Sequence, residues 1–473
     1  MISVQTLTNR TRFNVNVSTH LATSALTFFL ASATPQLLAS QATATRPPAT
    51  RPAASTAAKA GEDTLTSKFE VAGIPVILRQ VTANNVVAAN LYLLGGVRQL
   101  TLDNQGIETL LLESTEYGTR KYPKSVLRQK MARLGSAIAV APGIDWTTIG
   151  LRATTTGFDS TWVIMADRLM APLLMPADVD LVKEQLLEAI KGRTDSPDAL
   201  LDHLADSVTY AGSPYALDPV GTEGSLRKLS AADLRKYQTE QIVTSRMMLV
   251  VVGNVSRTRV EKLVRETLGR LPKGAYAWTA PADLPSAPYS PAIVKRALPT
   301  NYLQGSFRGP RANSKEYASL RLACAVLSGR LFTEARARQN LTYSINAPFI
   351  ERAQSMGGLY VTTTSPDAVL NIMQKEISAL KTGTISDDGL ERLVQQFIVT
   401  YFLDNETNAD QANLLARAEL YQGDYKRSAR FVDELREVTS KDIQNAASKY
   451  MSDIRWAYVG DPSKVSLALL NRF

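Results

Sequence analysis

Histidine and cysteine are almost absent from this sequence. Of 473 residues, two are histidine (His20 and His203) and one is cysteine (Cys324). No Cys/His cluster can be assembled from that inventory, which excludes a conventional zinc site. A lone cysteine also excludes an internal disulfide. A Ser-His-Asp triad would have to be built around His203, and no G-x-S-x-G elbow, P-loop or Rossmann fingerprint is present. His203 itself, in LLDHLADS, reads as a solvated or capped helix histidine. An all-carboxylate site for a harder metal has no dense acidic motif behind it. The net charge of +9 is spread along the chain with no block of five or six basic residues, so it describes a solvated surface and not a nucleic-acid footprint.

What is present begins with an N-terminus unlike the rest of the chain. Arg10 and Arg12 precede an apolar run from Leu21 to Ala33, followed by small residues at Ala39, Ser40, Ala42 and Ala44. This is the layout of a secretory signal peptide over residues 1–42, with a run too short and too rich in Thr and Ser for a membrane span. Export, to a bacterial periplasm, is the expectation. A mitochondrial transit peptide is the competing reading, because the segment is rich in Arg, Ser and Thr and lacks acids. Residues 43–64, Pro/Ala/Thr-rich with almost no bulky apolar side chain, read as a disordered tether. At 45% hydrophobic and 21% charged, the remainder is globular and long enough for two to four domains. Cys324, in LRLACAVL, reads as core.

The chain repeats itself. LSAADLRKY at Leu229–Tyr237, followed by MMLVVVGNV, returns as VTSKDIQNA at Val438–Ala446, followed by IRWAYVGDP; the two aspartates are separated by 442 − 233 = 209. YAGSPY from Tyr210 returns as YQGDY from Tyr421, an offset of 421 − 210 = 211, and PADVDLVKEQ from Pro176 is echoed by ISDDGLERLV from Ile385. Matches in the same order at nearly one offset predict two similar halves, residues 65–274 and 290–473, joined by an extended Pro-containing linker over 275–289. Within each half the pattern is α+β. The first half opens with strand-like FEVAGIPVILRQV and NVVAANLYLLGG, has a hairpin signal over Ala137–Thr154 and long helical stretches at Val179–Lys191 and Asp198–Tyr210, and closes on the strand MMLVVVG. That order suits a mixed or antiparallel sheet with helices packed on one face.

The segment GIETLLLESTEYGT, Gly106–Thr119, resembles the G-x-A-H-F-L-E-H-x-x-F-x-G-T helix of the inverzincin zinc peptidases, the pitrilysin and mitochondrial-processing-peptidase group, through Gly106, Leu110, Leu111, Gly118 and Thr119. In that H-x-x-E-H motif two histidines bind zinc and the glutamate activates water. Thr109, Leu112 and Glu113 occupy those three positions here. The family's third ligand, a glutamate, falls on Ala189 (113 + 76 = 189); Glu188 is adjacent, but one residue turns a helical side chain by roughly a quarter of a circle. A second segment, LFTEARARQNLTYSI at Leu331–Ile345, resembles L-x-x-x-L-R-E-x-x-G-L-x-Y-S-V, whose Arg and Tyr hold the substrate backbone near the zinc. Arg336 and Tyr343 match them (343 − 336 = 7), while Ala337 and Asn340 replace the usual Glu and Gly. Asn also tolerates a left-handed helix end. Where the family places Asn-Ala on the strand facing the substrate, this chain has Ala139 and Val140.

The resemblance implies two α+β halves facing one another as a clamshell around a peptide-sized chamber. It further implies a non-catalytic subunit that binds no cofactor itself and pairs with a homologous zinc-bearing chain to form a heterodimer. Its contribution to the peptide substrate would be Arg336 and Tyr343. The alternatives are a stand-alone peptide-binding or chaperone-like clamshell and a structural core subunit of a larger assembly.

Overall fold

The computed structural model describes residues 65–284 and 290–473. The expected signal peptide, the tether, His20 and the last five residues of the expected linker lie outside the described residues. No helix among the described residues is long and apolar enough to cross a membrane.

Two sheets organise the chain. The first contains β1 (Thr66–Val71), β2 (Ile74–Gln80), β3 (Val86–Leu94), β4 (Ala137–Ala141), β5 (Trp146–Thr154) and β6 (Met247–Gly253), in the order β1-β2-β6-β3-β5-β4. The second contains β7 (Ala292–Lys295), β8 (Asn301–Arg311), β9 (Thr342–Asn346), β10 (Phe349–Ile350), β11 (Gln354–Thr363) and β12 (Arg455–Gly460). Its order is β7-β12-β8-β11, with β9 and β10 both paired to β11. In each sheet one pair is parallel, β2 with β6 and β7 with β12, and the other pairings are antiparallel. The path β2-β6-β3-β5-β4 thus recurs as β7-β12-β8-β11-β9. The starts of β6 and β12, Met247 and Arg455, are separated by nearly the same offset as the sequence repeat.

The repeated sequence signals have local physical causes. Asp233 and Asp442 are third residues of their helices, and each closes a capping box with the N-cap hydroxyl of Ser230 or Thr439. The reciprocal bonds satisfy amides that the first helical turn leaves free. Each helix then leads into the central strand of its sheet, β6 or β12, and every residue of those strands is buried. A strand apolar at every position, with no alternation, needs cover on both faces.

That cover comes from both halves. Helices of the first half, including Ile107–Ser114, Phe158–Met170 and Ala231–Gln241, share a core with Val76, Leu91, Leu249 and Val251 on one face of the first sheet. On the other face, Ile77, Tyr92, Met248 and Val250 pack against Ala412, Leu415, Ala416 and Leu420, residues of the Asn408–Gln422 helix of the second half. The exchange is reciprocal. Leu201 and Ala205, from the Pro197–Thr209 helix of the first half, cover Ala457 and Val459 of the second sheet. The two lent helices start at Pro197 and Asn408, the same offset as the tyrosine repeat.

Those repeat tyrosines end the lent helices. Tyr421 donates to Asp145 Oδ2 at 2.7 Å, and Tyr215 donates to Oδ1 of the same buried carboxylate at 2.7 Å; Tyr210 lies under the Arg352 guanidinium at 4.7 Å. The described part of the linker is held against both halves. Trp278 donates to Leu420 O and lies against Trp146, while the amide of Leu284 donates to Gln354 Oε1. Tyr421→Phe leaves one Asp145 oxygen without its phenol in a buried setting. It is expected to lower unfolding free energy by about 1–3 kcal/mol in urea titrations; an unchanged midpoint would show that Asp145 finds a replacement donor.

Candidate functional site: a filled metal position and an arginine–tyrosine pair

The helix Ile107–Ser114 starts where two glycine backbones meet. Gly106 has φ 83° and Gly221 φ 95°, and a Cβ on Gly106 would sit 2.5 Å from the Val220 carbonyl oxygen. That close approach presses the loop 218–222 onto the start of the helix. Gln105 Oε1 accepts from the Asp218 amide at 2.9 Å, and Ser225 Oγ donates to the Gln105 carbonyl at 2.8 Å. As a result the first expected metal position, Thr109, is 3% exposed, with its hydroxyl donating to Pro219 O at 2.7 Å. Leu112, at the position expected for the catalytic glutamate, is 1% exposed within the leucine core of the first half.

Glu113, at the position expected for the second histidine, is half-buried. Its burial, reinforced by the nearby Glu116 carboxylate and opposed by Arg168, pushes its carboxyl up to about 7. Arg168 closes this end of the helix, donating from Nε to Thr115 Oγ1 at 2.9 Å and pairing with Glu116 at 3.4 Å. The downstream helix Pro176–Asp195 joins the same core through Val179 and Val182, with Leu186 and Ile190 packed against it. Ala189 is exposed, as is Glu188. The apolar face of this helix therefore passes through Ile190, one residue beyond the position counted from the motif.

Sequence reasoning passed over Glu108. It is 4% exposed and accepts from Thr147 Oγ1 at 2.6 Å, the Tyr237 hydroxyl at 2.9 Å and Arg246 Nη2 at 2.9 Å. Arg246, 1% exposed, also donates to the Leu94 carbonyl at 2.8 Å. One available signal was the repeat: Arg246 immediately precedes its central strand and Arg455 opens the other, at the offset that separates Asp233 from Asp442.

In the second half, the Glu316–Leu331 helix, which buries Cys324, runs into a π-helical turn, Phe332–Arg338. Asn340 then adopts φ 52°, its amide donating to Arg336 O at 3.1 Å, and the chain reverses into β9. The reversal returns Tyr343 to Arg336, whose Cζ lies 4.7 Å from the tyrosine ring centroid. Tyr343 is 81% exposed. Glu334 does not compete for Arg336, because its carboxylate is engaged by Arg338 at 3.0 Å and Gln339 at 2.9 Å. In the first half the corresponding edge strand is β4, on which Ala139 is exposed and Val140 half-buried.

Residues 228–397 match the model of the peptidase M16 inactive domain. The chain is similar to the uncharacterized zinc protease YmxG of Bacillus subtilis, 20% identical over 80% of this chain and 94% of that one. It is also similar to the mitochondrial-processing peptidase subunit beta of Blastocladiella emersonii, 22% identical over 82% of this chain and 87% of that one. The fold matches the crystal structure of a peptidase M16 inactive domain from Pseudomonas fluorescens with a TM-score of 0.75 at 17% identity, covering 84% of this chain and 98% of that chain.

The zinc of an H-x-x-E-H site does not fit the residues of this chain. A threonine tied to a carbonyl and a core leucine fill two of the expected positions, and Glu113 has no second and third ligand beside it. Among the described residues no three His, Cys, Asp or Glu side chains come together as a metal cluster. His203 is half-exposed, 3.7 Å from Asp218, a carboxylate that Arg193 pairs with at 2.6 Å.

Glu113 carries a pH signature. Its folded value, about 7, lies above the ordinary 4.5, so the fold favours the neutral carboxyl. The associated stability is fully present below about pH 4.5 and is lost as pH rises through about 7. Glu113→Gln is therefore expected to gain about 1–3 kcal/mol relative to the natural chain between pH 5 and pH 8 in urea titrations. A difference independent of pH would mean that Glu113 ionises freely.

Proposed function

We propose that this chain is the non-catalytic subunit of a heterodimeric zinc metallopeptidase, exported from the cell. It pairs with a homologous chain that carries zinc, completes that chain's peptide chamber, and donates Arg336 and Tyr343 to the substrate. The observation that carries the reading is a contrast within one molecule: Thr109 and Leu112 of the expected zinc helix are sealed in packing and Ala189 offers no ligand atom, whereas Arg336 and Tyr343 lie in contact with the tyrosine ring exposed. The similarity to a chain named as a subunit of a processing peptidase supports a role within an assembly.

The chemistry suits such a division. Zinc in the partner supplies Lewis-acid chemistry to the scissile carbonyl. A guanidinium and a phenol are strong donors that need no metal of their own and can hold a peptide carbonyl as its oxygen gains negative charge. Elemental analysis of the separately purified chain, with assay against a mixed peptide library, tests the first half of the proposal. It is expected to contain no stoichiometric zinc and to cleave nothing. About one tightly held zinc per chain, with cleavage, would contradict it.

A further inference from the structure

The element that carries Arg336 holds a second exposed aromatic ring. Phe332 opens the π-helical turn that Arg336 lies in, and it is 46% exposed where a structural phenylalanine would be buried. Its ring centroid is 5.1 Å from Arg336 Cζ, within the range of a cation–π contact, as is the 4.7 Å separation from Tyr343. The backbone explains the convergence. Ala335 is fully buried and anchors the turn, and its carbonyl accepts from the Leu341 amide at 2.9 Å. With Asn340 in the left-handed conformation, the chain folds back so that Phe332 and Tyr343, from opposite sides of the reversal, meet at one guanidinium. Single π-helical turns within helices recur at functional sites, and this is the one π turn among the described residues.

We infer that Phe332 is a positioning residue: its ring holds the Arg336 guanidinium beside Tyr343, so that the two donors are presented as a fixed pair. The geometric part concerns this chain alone; its catalytic consequence rests on the proposed function.

Two measurements separate them. Arginine-selective isotope labelling of the isolated chain, with Arg336→Lys to assign the resonance, reads the position of the guanidinium directly. In the natural chain the Arg336 side-chain protons are expected to be shifted upfield by the neighbouring rings. Phe332→Ala should abolish at least half of that shift while leaving the melting temperature unchanged, and Phe332→Tyr should retain it. An Arg336 resonance identical in the natural chain and in Phe332→Ala overturns the inference, as does a fall in melting temperature comparable to that of a core substitution. In the intact complex isolated from the native host, Phe332→Ala should lower kcat about two- to fivefold with little change in KM, with Phe332→Tyr restoring it, the worth of one exposed cation–π contact. If the resonance moves as expected and kcat does not, Phe332 positions Arg336 as inferred, and what fails is the reading of the pair as substrate donors.

Discussion

Replacing Tyr343 by phenylalanine is expected to lower kcat/KM of the proposed heterodimeric peptidase by roughly ten- to a thousandfold, the range for loss of one donor to a developing oxyanion. Only a hydroxyl is removed, and the residue is 81% exposed, so folding and assembly should be untouched. Arg336→Ala should reduce turnover to a similar extent and also weaken peptide binding, because a guanidinium can hold the ground-state carbonyl as well as the oxyanion. It also removes the cation that lies against Phe332 and Tyr343, so Arg336→Lys is the sharper comparison. A lysine keeps the charge but presents a point donor without the planar fork. Normal assembly with unchanged kcat/KM in the double variant Arg336→Ala, Tyr343→Phe would make the pair structural and reduce this subunit to the walls of the chamber.

The second large effect is on stability. Glu108→Ala strands Arg246, at 1% exposure, as an uncompensated buried cation, and leaves the Tyr237 hydroxyl without its acceptor. Breaking one partner out of such a pair costs about 3–5 kcal/mol. Replacing both members with apolar groups, as in Glu108→Leu with Arg246→Met, should cost markedly less, because no charge is then left alone in the core. Urea titrations of the two single variants and the double variant measure this. Equal costs for single and double replacement would mean that the arginine is solvated by other groups, the Leu94 and Gln241 carbonyls being nearest.

The two-half architecture was legible because its signals are local. A capping box is a short motif, and its recurrence at Asp233 and Asp442 marks equivalent helices whether or not anything else is recognised. The hairpin expected over Ala137–Thr154 is β4 and β5. The helices expected at Val179–Lys191 and Asp198–Tyr210 run from Pro176 to Asp195 and from Pro197 to Thr209. The exchange of helices between halves was not legible. An apolar stripe such as Leu201, Ala205 or Ala412, Leu415, Ala416 says that a face is buried and not which sheet buries it. The repeat marked Arg246, but its pairing with Glu108 was hidden for the same reason, the two lying on elements far apart in the sequence.

At the candidate site, the spacing of Arg336 and Tyr343 was readable from the motif, and so was Asn340 as a residue that tolerates a left-handed end, which it adopts. The π turn that brings Phe332 to the same guanidinium has no sequence signature of its own. The counted position Ala189 falls on the exposed side of its helix, beside Ile190.

Native purification of this chain from its host, with mass spectrometry of the bound polypeptides and metal analysis of the intact complex, decides whether it works with a zinc-bearing partner. A second, homologous chain with an intact H-x-x-E-H helix is expected in near-equal amount, with about one zinc per pair and peptidase activity that disappears when the chains are separated. Recovery of this chain alone, holding about one zinc and cleaving peptides, would contradict that expectation.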